Sequence, residues 1–318
     1  MPYPELSVNY GLALKVETNQ GTYATPTMAA DAIPLAEEPT IEVGYILPGA
    51  REGLAVGGYG APPNANPLGR YGRIRFRTEL LGSGTAATPP RWARLLQPFA
   101  PEVIATDVSY QPGYSTPKCL SAILELGGKQ FQLVGAVPEQ LTIRGDATEA
   151  RVFVEGTLAG KLNAAPTEQA LEAQTFQDTN PVPFQGALTV GGTVIKYAEF
   201  VLDFGLASLP WRVERNTADP LIFGVVTNVH PKLTFPGEVE ALATHDPFTR
   251  QSAQQTALAL SQTLGTTSGR KYVITADHLA VAAGEALGFQ AKDGILYYGL
   301  TLEVKRPATG TFLKLSHA

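Results

Sequence analysis

Polar and apolar residues alternate in steps of two along several stretches of this chain, and each stretch predicts a strand with one packed face and one wetter face. From Arg73 to Leu80, the residues Ile74, Phe76, Thr78 and Leu80 fall on one side and Arg73, Arg75, Arg77 and Glu79 on the other. From 194 to 204, Val194, Ala198, Phe200, Leu202 and Phe204 form an apolar face interrupted by Lys196. Ile195, Tyr197, Glu199, Val201 and Asp203 oppose it. From 295 to 304, Leu296, Tyr298, Leu300, Leu302 and Val304 oppose Ile295, Tyr297, Thr301 and Glu303. Shorter β-like runs lie at 12–17, 40–45, 122–126, 129–134, 140–144, 150–158, 271–276 and 278–283.

Two stretches carry helical signals instead. Over 89–99, Trp92, Leu95, Leu96 and Phe99 recur at helical spacing, with Thr88 as the expected cap and Pro89 at the tolerated first position. Over 247–264, Asp246 before Pro247 predicts a start and Gly265 a stop. The order strand, helix, β-rich return therefore occurs twice, at 72–158 and again at 232–305. Two similar β units in one chain suggest a part built for pseudo-symmetric assembly. The expected class is mainly β (α+β): two β-sandwich or barrel units, each with a short flanking helix.

Length and composition set the joints. At 318 residues two domains are the natural division. The reading is an N-terminal arm at 1–41, a first β domain at 42–162 with a long Gly/Pro/Asn-rich loop at 49–69, a linker at 163–183 and a second β domain at 184–318. Such a loop in a compact protein is a contact candidate. With 32 Gly and 25 Pro the chain is rich in turns. Its 17% charged content lies below the usual quarter, so surface that looks exposed in one copy is expected to be covered in an assembly. A net charge of -5 argues against a general nucleic-acid binder. The N-terminus lacks the pattern of a secretory signal, and no apolar run reaches the ~20 residues of a membrane span. Synthesis and folding in the cytoplasm are expected.

Catalytic chemistry finds little purchase. The single cysteine, Cys119, reads as a small buried hydrophobe. His230, His278 and His317 are scattered without metal-ligand spacing, and Asp246 beside His245 is better explained as a cap. The Gly82-Ser-Gly-Thr and Gly57-Gly-Tyr-Gly runs are turns that lack the Lys-Ser/Thr of a phosphate loop. No nucleophile elbow is present, and Glu37-Glu38 lies in a loop. No enzyme activity, cofactor or metal is expected.

Several motifs resemble the tail tube proteins of long-tailed, non-contractile bacteriophages. Glu17-Thr-Asn-Gln-Gly-Thr-Tyr-Ala-Thr-Pro-Thr followed by Ala29-Ala-Asp-Ala-Ile-Pro is similar to the opening of such subunits. Phe76-Arg-Thr-Glu-Leu-Leu-Gly-Ser-Gly-Thr resembles their strand-to-helix passage, which ends here in Arg94-Leu-Leu. Val108-Ser-Tyr-Gln-Pro and Leu126-Gly-Gly-Lys-Gln-Phe-Gln-Leu-Val-Gly-Ala resemble the family's central hairpin region. The resemblance covers most of the chain and is strongest over 17–160. It implies rings in which strands of neighbouring subunits join into a continuous inner barrel, and rings that stack into a tube. A two-unit member implies trimers of pseudo-hexameric symmetry. The implied partners are further copies of the chain, the tape-measure protein in the bore, and tail-terminator and distal tail or baseplate proteins. Double-stranded DNA is implied to pass without specific binding, in the tail of a virion assembled in the host cytoplasm.

Elementary physics agrees with that expectation. A long open edge strand is an aggregation hazard unless paired, and head-to-tail closure into a ring removes every edge. A neutral to acidic bore is expected, because a basic wall would hold phosphates. Wall candidates are Glu199 and Asp203, or Glu149, Arg151 and Glu155. The triplet Arg73, Arg75 and Arg77, with Glu79, suits an interface, pairing with Glu across the sheet, or a solvated face. Tyr59 in the long loop is a contact candidate. Two other classes compete: a different virion β protein (baseplate, terminator or decoration), and a carbohydrate-binding or carbohydrate-active β-sandwich, whose aromatic cleft Trp92 and Trp211 do not suggest.

Overall fold

In a computed structural model, the described residues are 9–46, 69–113, 118–213, 221–240, 246, 258–282, 287–292, 294–307 and 309–318. They form a mainly β protein of antiparallel sheets, with 56% of residues in strands and 4% helical. The first half runs β1 (Tyr10–Val16), the four-residue helix α1 (Met28–Asp31), β2 (Ala32–Ile33), β3 (Thr40–Ile46) and β4 (Gly69–Glu79). A 3-10 helix (Arg91–Leu96) leads to β5 (Glu102–Ile104), β6 (Val108–Tyr110), β7 (Leu120–Leu126), β8 (Lys129–Asp146) and β9 (Arg151–Leu162). After β10 (Thr167–Glu168) come β11 (Leu188–Val190), β12 (Thr193–Ile195) and β13 (Glu199–Asp203). Four short strands follow: β14 (Leu206–Leu209), β15 (Arg212–Val213), β16 (Leu221–Ile222) and β17 (Val225–Val229). The chain then runs through β18 (Lys232–Glu238), β19 (Leu258–Leu264), β20 (Tyr272–Val281), β21 (Gly288–Lys292), β22 (Ile295–Val304) and β23 (Lys314–His317).

The main sheet has eight strands in the order β3–β4–β9–β8–β13–β18–β22–β21, each antiparallel to its neighbours. Strand alternation decides its two faces. Ile74, Phe76, Ile143, Val154, Phe200, Leu202, Leu233, Phe235, Tyr298 and Leu302 are all buried on the inner face. Each large side chain contributes roughly 1.5–3 kcal/mol by leaving water. Under that face lies a second layer. In the first half it pairs β1 with β2 and β7, and β7 with the start of β8. In the second half it pairs β11 with β12 and β19, then β19 with β20 and β20 with β23.

The eight strands divide into two quartets of one topology. In the first, β3 and β4 are followed by the hairpin β8–β9, giving the spatial order first, second, fourth, third. In the second, β13 and β18 are followed by the hairpin β21–β22 in the same order. The seam between quartets is the antiparallel pairing of β8 with β13, from Glu199 opposite Asp146 to Asp203 opposite Thr142.

Strand β8 serves both layers. The expected runs 129–134 and 140–144 are one strand, bent by register shifts between Val134 and Gln140. Gly135 sits there at φ 62°, a left-handed conformation that suits glycine, and a Cβ on it would meet Phe223 at 2.7 Å. The residues read as a linker are stitched to the first half. Thr167–Glu168 pair with β8, the Glu172 amide donates to Glu125 Oε2 at 2.9 Å and the Val182 amide donates to Leu80 O at 2.9 Å. One buried core cluster runs through both halves. The Gly82 turn also explains itself: a Cβ there would lie 2.0 Å from Gly269 O, in a turn from the other half.

Two helical expectations are corrected. The stretch 89–99 is only a 3-10 turn over Arg91–Leu96, and Pro90 stands at the cap position without a side-chain bond, so Thr88 is no cap. Its stripe Trp92, Leu95, Leu96 and Phe99 is nevertheless buried. The second helix fails in its described part: Leu258–Leu264 is strand β19, with Leu260, Gln262 and Leu264 inward. Residues 258–264 also alternate with period two, and pairing with β11 and β20 prevailed over the end signals. Residues 247–257 lie outside the described set. Among the described residues the helical turns all belong to the first half.

Candidate assembly face and sheet edges

The outer face of the main sheet carries the charge. Because strand side chains alternate, Arg73, Arg75, Arg77 and Glu79 all leave β4 on the side opposite Ile74 and Phe76. Register sets their neighbours across the sheet. Arg77 stands opposite Glu155, Glu155 opposite Thr142, and Thr142 opposite Asp203, so one row crosses four strands. A second row joins Arg151, Asp146 and Glu199. A shallow depression of about 710 Å³ on this face is lined by Arg75, Arg77, Glu155, Asp203, Glu37 and Thr142, among others.

Three arginines here are paired with carboxylates of other segments. Arg73 Nε lies 2.8 Å from Glu139 and its Nη1 3.8 Å from Glu42. Arg77 reaches Glu155 at 3.1 Å, Glu149 at 3.3 Å and Glu37 at 3.8 Å, and its guanidinium sits 3.9 Å from the Phe153 ring centroid. Arg151 lies 2.5 Å from Glu79. The bond to Glu139 raises the Arg73 pKa, and the Thr148 hydroxyl lowers that of Asp146. Glu303 is lowered chiefly by its bond from Lys305. Such half-exposed pairs stabilise by about 0–1 kcal/mol each, so their main effect is to leave a face of mixed sign.

Every described candidate from the sequence lies on this face. Arg73, Arg75, Arg77 and Glu79 come from β4, Glu149 from the β8–β9 turn, Arg151 and Glu155 from β9, and Glu199 and Asp203 from β13. Tyr59 lies outside the described residues. Sequence reading missed Asp146, which stands in the second row, and Glu42 and Glu139, which pair with Arg73; the available signal was their charge on predicted strands.

The sheet ends in two edges. Among the described residues β3 pairs with β4 alone and β21 with β22 alone. Apolar side chains of inner-face parity stay uncovered there: Val43 is 42% and Tyr45 52% exposed on β3, and Leu296, opposite Ala291, is 45% exposed beside β21. Uncovered edge strands flanked by apolar groups mark interaction surfaces.

Buried polar groups elsewhere are structural in their contacts. Glu17 accepts from the amides of Gly21 (2.6 Å) and Gly135 (2.7 Å) and from Ser121 Oγ (2.9 Å), while burial raises its pKa. The Cys119 thiol donates to Gly224 O at 3.2 Å and burial pushes its pKa up to about 12, which disfavours the nucleophilic thiolate. Among the described residues no three His, Cys, Asp or Glu are grouped to hold a metal, and no helix is long and apolar enough to cross a membrane. Neither a known family profile nor a curated protein sequence matches the chain.

Proposed function

We propose that this chain is a structural subunit that closes into rings through its sheet edges and stacks into the hollow tail tube of a long-tailed phage, a conduit for DNA. The observation that carries this reading is the seam. Inside one chain, a third-type strand (β8) pairs with the first-type strand (β13) of the next quartet. The two edges left over, β21 and β3, are a third-type and a first-type strand. A second copy can repeat the same pairing, and repetition closes into a ring without edges.

The mixed outer face suits a wall past which a polyanion slides, because paired arginines release few counterions. The partners implied by the resemblance, a tape-measure protein in the bore and terminator and baseplate proteins at the ends, belong to this proposal. Negative-stain microscopy and sedimentation of the purified protein, with and without warming, test it. Rings or tubes are expected. A monomer at all concentrations and temperatures overturns the reading.

A further inference from the structure

The connection between β13 and β18 leaves its own quartet and packs on the preceding one. Ser208 Oγ donates to Pro138 O at 2.6 Å and the Gly224 amide to Gly135 O at 2.8 Å. Trp211 stacks on Tyr71 at 4.6 Å, with the Arg73 guanidinium 5.4 Å from its ring. Leu221 packs so close to Gly69 that a Cβ there would lie 2.5 Å from it. The connection thereby covers the end of the first quartet where β4 begins and β9 finishes, with Tyr71 opposite Lys161.

The equivalent end of the second quartet, where Lys232 of β18 stands opposite Glu303 of β22, carries an open groove of about 520 Å³. Asn228, His230, Lys232, Glu303, Lys305 and Phe312 are among its lining residues. By the same topology, the connection equivalent to 204–231 is 47–68, between β3 and β4. In the ring, β3 of one copy adjoins β21 of the next, so that connection starts beside the neighbour's groove.

We propose that residues 47–68 of one copy fill the groove at Lys232, Glu303 and Phe312 of the adjacent copy, as the described residues 206–213 and 221–229 cover the first quartet within the chain. This rests on the ring reading above. The segment's chemistry fits the site. Leu47, Leu54 and Val56 supply apolar surface, and Tyr59 is its single aromatic residue. Arg51 and Glu52 give the segment one charge of each sign, beside a groove that holds Glu303 as well as Lys232 and Lys305. The groove offers Tyr59 a Phe312 ring with the Arg306 guanidinium 4.9 Å from its centroid, a ring-and-guanidinium arrangement like that around Trp211.

Two measurements test the proposal. Single variants Tyr59→Cys and His230→Cys are prepared separately, mixed, assembled and mildly oxidised; the native Cys119 is buried. A reducible dimer is expected from the mixture and from neither variant alone. Assembled particles that yield no such dimer overturn the proposal. In the wild-type protein, amide exchange over 228–234 and 303–306 is expected to slow at least tenfold on assembly. An unprotected groove in rings or tubes overturns it and leaves the ring reading intact, whereas a wild-type protein that never assembles overturns the ring reading itself.

Discussion

Trp92 and Tyr272 meet across the two halves of the chain on a single acceptor. The indole Nε1–H lies 2.9 Å from Leu81 O and the Tyr272 hydroxyl donates to the same carbonyl at 2.6 Å, with the ring centroids 5.8 Å apart. Both side chains are buried, and the contact ties the chain after β4 to β20 in the other half. Tyr272→Phe removes one bond and is expected to cost about 0.5–1.5 kcal/mol. Trp92→Ala leaves a cavity as well and is expected to cost about 3–5 kcal/mol. Urea unfolding followed by circular dichroism measures both. A Trp92→Ala cost below that of Tyr272→Phe would refute the central role of this contact.

Acid should weaken the same region. His317 is buried; its Nε2 lies 3.0 Å from Gly269 O and its ring centroid 4.9 Å from that of Tyr272, while Nδ1 has no partner among the described residues. Burial lowers its pKa, against the smaller opposing effects of Gly269 and Asp107. A histidine held neutral contributes stability that is present above its unfolded pKa, about 6.5, and is lost as pH falls below that value toward the lowered folded pKa. The urea midpoint is therefore expected to fall between pH 7 and 5. His317→Gln should lower it at pH 7 and flatten its pH dependence in that window. An equally steep profile in the variant would assign the acid sensitivity elsewhere.

Glu17 holds the bend of β8. Its carboxylate satisfies the Gly135 amide and the Ser121 hydroxyl, both far away in sequence. Glu17→Ala orphans these donors and is expected to cost about 1–3 kcal/mol, with Glu17→Gln losing less because one acceptor oxygen remains. Thermal unfolding of the pair ranks them, and equal losses would mean that the volume of the side chain matters rather than its acceptors.

Charges placed on the edges should separate folding from assembly. Val43→Lys on β3 and Ala291→Arg on β21 put cations where the ring reading requires apolar contact. Each is expected to leave the far-ultraviolet circular dichroism unchanged and to lower the assembled fraction at least tenfold in sedimentation. Normal assembly of both variants would count against edge pairing as the joint.

Much of the strand layer was legible in the chain. The inner and outer sets of β4, of β13 over 199–203 and of β22 follow from local alternation, but the expected strand 194–204 is two strands, with Ile195 buried and Val194 exposed. Of the order repeated from residues 72 and 232, the leading strands β4 and β18 correspond, whereas the described end of the second helix is strand β19. The helix over 247–264 was misread because end signals are local, whereas Leu258–Leu264 takes its strand form from partners at 188–190 and 272–279. The bend in β8 was invisible for the same reason: a register shift is defined only against β9.

The sequence by itself determined which side chains of β4, β13 and β22 face inward, because a period of two is a property of consecutive residues. Only the tertiary structure decided that charges from β4, β9 and β13 share rows on one face, and that β8 joins β13 while β3 and β21 remain at the borders. Those are choices of partner between residues far apart in sequence, such as Tyr71 and Lys161 or Glu199 and Asp146, made by the register in which the apolar faces of both halves close over a common core.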